Sequence, residues 1–364
     1  LLSAITIPLF FFTRTMAARN RARNIEIANL WYQKGQTEFR AGDIRGAIGS
    51  FRNATTNDHD NTSYTMALAT ALAADDHTEE ARQALLRLRA SAPESGELNL
   101  SLARLAAREA DMPDAVRYYR NALYGVWPPD RTAAQRINVR TELIRFLLAA
   151  HDNAQALSEL LLLASETPDD GAAHDNVGHL FLQVGDSQHG LEEFTHALRL
   201  NGKDADAYLG AGRAAFDLGD YSKSRQYLES AIANGSKSAE ASRLLETTRL
   251  IQDRDPLAPG LGTEERIRRL SSNLDYANDE LQSCIRMKQD EGNSAIVLMP
   301  LLAELDGDVD TQFKPKALRA DPEGFRTGLN LIGRIAVSTG QICGESSALH
   351  NALLRIAKKR GVIE

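Results

Sequence analysis

The chain has 364 residues, 43% apolar and 25% charged, with 42 basic against 49 acidic side chains and a net charge of -7. These figures exclude a small disulfide-stapled module, a disordered chain and a general nucleic-acid binder, which would present a basic surface. Aromatic residues make up only 6%, whereas alanines number 52, of which 42 fall in the first 250 residues. Alanine is the best helix former and the smallest side chain that still packs, so the larger part of the chain reads as closely packed helices.

In chain order, the opening run LLSAITIPLFFF is apolar through Phe12, and Arg14, Arg19, Arg21 and Arg23 come next, before the first acid, Glu26. A spanning helix needs about 20 apolar residues, so residues 1–24 read as the remnant of a membrane anchor with a basic flank. The arginines favour a cytoplasmic location for the rest of the chain, with the periplasmic or extracellular face as the alternative. A cleaved signal and a buried helix are the other readings of the same segment.

From residue 28 a period of 34 sets in. Gly178 aligns with Gly212, Gly185 with Gly219, Asp186 with Asp220 and Ala197 with Ala231, and the frame starts at 28, 62, 96, 137, 171 and 205, with a partial unit from 239. Position 8 of the frame is small in five of six units (Gly35, Ala69, Ala103, Gly178, Gly212), with Ile144 the exception. Position 20 is small throughout (Ala47, Ala81, Ala115, Ala156, Gly190, Ser224), and position 24 is bulky (Phe51, Leu85, Tyr119, Leu160, Phe194, Leu228). Small residues facing bulky ones are what two helices in close contact require. Seven extra residues follow the stretch Asn121–Trp127, with Pro128 and Pro129 interrupting the helix before Arg131, and predict a loop, with Trp127 filling an apolar gap.

This pattern resembles the tetratricopeptide repeat, and the chain resembles a membrane-anchored bacterial-type member of that family. The resemblance implies an all-α, right-handed superhelical solenoid over 25–255, six helix pairs in all, with 256–364 as a C-terminal helical cap. It also implies a protein-binding scaffold whose first helices line a concave groove through positions 2, 5, 9, 12 and 13. Position 9 reads Gln36, Thr70, Arg104, Arg145, His179 and Arg213; Arg108, Asn176 and Gln183 lie beside it. Those residues, with apolar anchors at Tyr32, Phe39, Leu209 and Phe216, form the expected peptide groove, suited to acidic or C-terminal segments of other proteins. The alternative is internal pairing, Arg145 with Glu142 and Arg213 with Asp217. The family's chaperone-tail clamp puts lysine and asparagine where Tyr32 and Gln36 stand here, so that partner type is not expected.

Beyond Asp255-Pro-Leu-Ala-Pro-Gly the period is lost. A helix over 263–288 carries an apolar heptad stripe (Ile267, Leu270, Leu274, Ala277, Leu281, Cys284) that either caps the solenoid or pairs with a second copy. Further helices are predicted near Ser294–Glu304, Pro322–Val337 and Glu345–Lys359. Cys284 and Cys343 read as two buried thiols; the alternative is a single disulfide closing 59 residues, which an oxidising compartment would allow.

Chemistry is sparse. Gly210-Ala-Gly212-Arg-Ala-Ala215 matches a dinucleotide fingerprint but lies inside a repeat helix, without the strand that motif needs. Cys343-Gly-Glu-Ser346 with His350 falls short of a nucleophile elbow. No metal site, small-molecule cofactor or enzymatic activity is expected, and an activity hidden in 256–364 is the least favoured reading of function.

Overall fold

The computed structural model describes residues 2–288, 296–309, 311–344 and 347–363, with side chains from Thr13 onward. Among these residues the protein is all-α: 18 helices and an isolated bridge between Ser95 and Val126. It divides into two compact units, Leu1–Glu166 and Thr167–Glu364.

The N-terminal unit is four antiparallel helix pairs: α1 (Leu2–Arg40) with α2 (Ile44–Asn57), α3 (Thr62–Ala74) with α4 (Thr78–Ser91), α5 (Gly96–Arg108) with α6 (Met112–Tyr124), and α7 (Thr132–Ala149) with α8 (Asn153–Glu166). The C-terminal unit opens with two more, α9 (Gly171–Val184) with α10 (Ser187–Leu200) and α11 (Ala205–Asp217) with α12 (Tyr221–Ala233). Then come α13 (Ala239–Arg254), α14 (Thr263–Lys288), α15 (Met299–Val309), α16 (Pro315–Ala320), α17 (Gly324–Cys343) and α18 (Ala348–Lys359).

The 34-residue period has three physical roots. Most helices start on a side-chain cap: Asp43, Asp111, Asp186 and Asp220 accept from the backbone N–H three residues on and start second helices, while Asn61, Ser95, Asp170, Asp204 and Ser238 start first helices; the helices after His77 and Arg131 lack one. The helices also touch where the sequence is small. A Cβ on Gly35 would lie 2.7 Å from the Phe51 ring, one on Gly178 2.8 Å from Phe194, and one on Gly212 2.7 Å from Leu228, each pairing position 8 with position 24 of its own repeat. Position 20 is equally confined: Ser224 Oγ donates to Gly212 O at 2.9 Å. Finally, the turn between paired helices always uses a left-handed residue at position 15. It is Gly42, Gly185 and Gly219 in three repeats, but Asp76, Ala110 and His151, at φ 60°, 56° and 59°, in the others.

The insertion after α6 only partly becomes loop, because α7 starts at Thr132, five residues before the frame. Trp127 is buried against Gly96 and donates from Nε1 to Ala122 O at 2.8 Å.

The membrane anchor expected at the N-terminus is corrected, and with it the placement of the chain relative to a membrane. Among the described residues no helix is long and apolar enough to cross a bilayer. The helix that carries the apolar run, α1, continues without a break through the arginine cluster to Arg40. Arg21 is held by Asp60 at 3.0 Å.

Self-association through the heptad helix is likewise corrected. The α14 stripe from Ile267 to Cys284 is buried in this unit's own core, with Phe325, Leu329, Ile332 and Ile335 of α17 and Leu353 and Ile356 of α18, which leaves it unavailable to a second copy. Cys284 and Cys343 are not free thiols; they form a disulfide tying α14 to the end of α17, with Cα atoms 5.8 Å apart. The expected helix starts at Ser294 and Glu345, and Ser346 of the elbow-like motif, lie outside the described residues.

Candidate functional site

In the N-terminal unit, α1, α3 and α5 bring position 9 and position 12 side chains to one face. Phe39, Ala69, Thr70, Ala73, Leu105, Arg104 and Arg108 line a hollow of about 260 Å³ floored by Ala81 and Leu85 of α4. A second hollow of about 230 Å³ lies beside it, lined by Gln36, Phe39, Arg40, Phe51, Ala67 and Thr70. The floor is apolar because Ala81 and Leu85 are the small and bulky packing positions of the second helix, and the rim is basic. Tyr32 is half-buried, its ring tilted against those of Phe51 at 5.8 Å and Tyr64 at 4.8 Å.

Arg104 and Arg108 are paired, though not within their own helix. Arg104 forms a two-pronged contact with Glu142 of α7, at 2.9 and 2.6 Å. Arg108 donates to Ala73 O and reaches Asp76 at 3.2 Å. Glu142 is therefore taken by the preceding repeat, and Arg145 is exposed with no partner among the described residues. The hydrogen bond to Glu142 raises the Arg104 pKa against the opposing effect of burial. Burial, then the same carboxylate, pushes the Tyr119 hydroxyl up to about 12, with Arg104 opposing.

In the C-terminal unit, Asn176 donates to its own helix at Ala172 O, and Gln183 is exposed. His179 sits 3.6 Å from Asp175 and edge-on to Phe194. Burial raises the Asp175 pKa, and His179 pulls it partly back. Arg213 pairs with Glu240 of the next first helix at 3.4 Å, not with Asp217. Leu209 is half-buried.

Phe216, expected as an open groove anchor, is buried at 4% exposure. The guanidinium of Arg355, from α18, lies 4.4 Å above its ring and also reaches Asp217 at 3.4 Å. Lys359 caps Tyr221 in the same way, 4.6 Å above the ring, and donates to Gly219 O at 2.8 Å. Arg360 is bonded to the buried Asp255. The tail of the chain thus covers the end of α11 and the turn into α12. The polar hollow of about 610 Å³ beneath it is lined by these same groups, and Asp255, Lys359 and Arg360 are already engaged there.

The glycines of the dinucleotide-like string are packing residues: a Cβ on Gly210 would sit 2.3 Å from Phe194. His350 is buried and bonded through Nδ1 to Glu280. Sequence reasoning set Glu142 against Arg145 instead of Arg104, and missed Glu240 as the partner of Arg213. Each stands on the first helix that comes after its arginine, beyond the reach of a same-helix pairing rule.

The model of the tetratricopeptide repeat family matches residues 32–93 and 178–239, the opening repeats of the first unit and the full repeats of the second. The chain carries tetratricopeptide repeats. Cellulose synthase operon protein C of Komagataeibacter xylinus is 32% identical over 128 residues; the match covers 35% of this chain and spans only 9% of that protein's length. Among solved structures, the type IV pilus biogenesis factor PilW is similar at 18% identity over 60% of this chain and 98% of its own, with a TM-score of 0.43. The C-terminal part of a repeat protein from Cytophaga hutchinsonii is similar at 11% identity, covering 66% and 93%, with a TM-score of 0.47. YrrB, described as having an unusual peptide-binding site, is similar at 16% identity, covering 53% and 95%, with a TM-score of 0.39.

Proposed function

We propose that the protein is a binding scaffold that docks an acidic segment of another protein on the first-helix face of its N-terminal unit. The observation that carries this reading is the apolar hollow between α1, α3 and α5, with Phe39 and Leu105 in its wall and Arg104 and Arg108 at its rim. An apolar side chain of the partner fills the hollow while its carboxylate competes with Glu142 and Asp76 for the guanidinium forks, whose planar geometry suits a carboxylate. The unpaired Arg145 adds charge on α7. Because the repeat backbone is already built, ordering cost falls on the partner alone. An operon protein of cellulose synthesis among the relatives is compatible with such a role, and the short match leaves its partners its own.

The test is a set of synthetic peptides graded in acidity, measured by fluorescence anisotropy against the full chain. Peptides combining a leucine or phenylalanine with glutamates should bind, more weakly at high salt. Arg104→Glu with Arg108→Glu should cost at least about tenfold in affinity, as expected for removing charge-assisted bonds. Equal affinity for the variant, or for neutral peptides, would sink the reading.

A further inference from the structure

Position 4 of a first helix meets position 23 of its second helix in successive repeats, and the pair is filled differently each time. It is Arg140 on Glu159 at 2.7 Å in one repeat, and two tyrosine rings, Tyr208 and Tyr227, 6.4 Å apart in another. Packing at this place therefore has no need of histidine. In the repeat of α9 and α10 the pair is His174 and Glu193, with Nδ1 2.6 Å from Oε2, and two further metal-type ligands stand next to it. The ring of His196 stacks on that of His174 with centroids 3.9 Å apart, and its Nε2 lies 3.0 Å from Asp169 Oδ1. The ligand atoms of Asp169, His174 and His196 all fall within 4.8 Å of one another.

We propose that Asp169, His174 and His196 form a binding site for a divalent transition metal of the zinc class, with Glu193 as the positioning residue. Two features of the geometry support it, and a third sets what must move on binding. First, an ionised Glu193 can only accept, so His174 donates from Nδ1 and keeps its Nε2 lone pair free to ligate; a carboxylate behind a histidine is the usual outer-shell support of such sites. Second, the 3.0 Å gap between His196 Nε2 and Asp169 Oδ1, now bridged by one proton, is close to the roughly 3.3 Å that separates two ligands each about 2.0–2.1 Å from a tetrahedral zinc. A metal takes the place of that proton, which moves to Nδ1 or to solvent. Third, the nearly parallel rings, 14° apart, cannot both point their lone pairs at one ion, so binding turns His196 out of the stack; its side chain is 37% exposed and Asp169 is 77% exposed, which gives both room to move while the buried His174 stays fixed. Two nitrogens and one carboxylate oxygen leave a fourth position for water or for a partner's side chain. The mixture of imidazole and carboxylate favours zinc over magnesium or calcium, which prefer all-oxygen sites.

The experiment is isothermal titration of untagged, chelator-treated full chain with zinc chloride, and separately with magnesium chloride, for the wild type and for His196→Ala and Asp169→Asn. Asp169 is exposed and His196 half-buried, and folding is checked by an unchanged helical spectrum and melting temperature without metal. One equivalent of zinc should bind saturably, raise the melting temperature, and lose at least about tenfold in affinity in each variant. No saturable zinc binding up to about 1 mM would overturn the proposal. So would wild-type affinity in either variant, which would place the metal at other histidines such as the His189–Asp186 pair, or magnesium binding as tightly as zinc.

Discussion

Phe39 and Phe216 occupy the same position of the repeat, the twelfth, in the first and the last full repeat, and meet opposite fates. In the N-terminal unit Phe39 stays half-buried on the edge of a hollow bordered by Arg104 and Arg108. In the C-terminal unit Phe216 is closed over by Arg355 and joined to a core that runs through α14, α17 and α18. Repeat position fixes which way a side chain points; the next element along the chain decides whether solvent or protein meets it. A tetratricopeptide face is thus a potential binding surface only where nothing of the same chain already covers it. By that criterion the binding role proposed above falls to the first unit, while in the second the end of α11 is covered by the chain's own tail.

The largest effect expected from disturbing this contrast is at the disulfide. Cys284 and Cys343 close a loop of 59 residues, which loop-closure arithmetic values at roughly 4 kcal/mol. Cys343→Ser, or reduction with dithiothreitol, should strip hydrogen-exchange protection from α14 and α17 while α2 through α6 keep theirs. If protection fell equally in both units, or in neither, the bond would not be what distinguishes the C-terminal core.

A smaller effect is expected at the tail itself. Arg355→Ala removes the guanidinium from above Phe216 and the exposed contact with Asp217, together worth about 1 kcal/mol. The consequence for binding is more informative than the loss of stability. With Arg355 gone, Phe216 should become reachable, and the hydrophobic dye ANS should gain fluorescence with the variant relative to the wild type. Unchanged dye binding would mean that the packing of α18, and not Arg355, keeps the face shut.

How much of this is legible in the sequence depends on the kind of contact involved. The small and bulky positions of the helix pairs, such as Gly212 against Leu228, can be read because both partners recur within one 34-residue frame. The arginines at 104 and 213 can be placed on the first-helix face, but their true partners Glu142 and Glu240 belong to neighbouring repeats, across a spacing no single-helix rule considers. Contacts of the tail are out of reach altogether: Arg355 and Asp217 are 138 residues apart, and nothing local in either sequence announces the other. The site of Asp169, His174 and His196 escapes for the same reason, since no two of its histidines lie at helical spacing. The membrane reading fails because hydropathy at the start of the chain is offset by the arginines that share its helix.

The smallest effect lies in the turns, where the two units also differ. In the C-terminal unit the left-handed turn residue is glycine in both full repeats, Gly185 and Gly219, but in the N-terminal unit three of four such turns use Asp76, Ala110 and His151. A side chain with a Cβ costs on the order of 1 kcal/mol in that conformation, and aspartate softens the cost by local hydrogen bonding, which alanine cannot do. Ala110→Gly should therefore stabilise the N-terminal unit by about 0.5–1 kcal/mol, after allowing for the extra freedom glycine gives the unfolded chain. The gain should appear as slower exchange in α5 and α6 with no change in α11 and α12. The mirror substitution, Gly219→Ala, has open space around its Cβ and so isolates the backbone term: it should destabilise α11 and α12 by a similar amount. If both substitutions lowered stability, the turn at Ala110 would be held by its neighbours in a way that glycine loosens, and strain would not be what separates the turns of the two units.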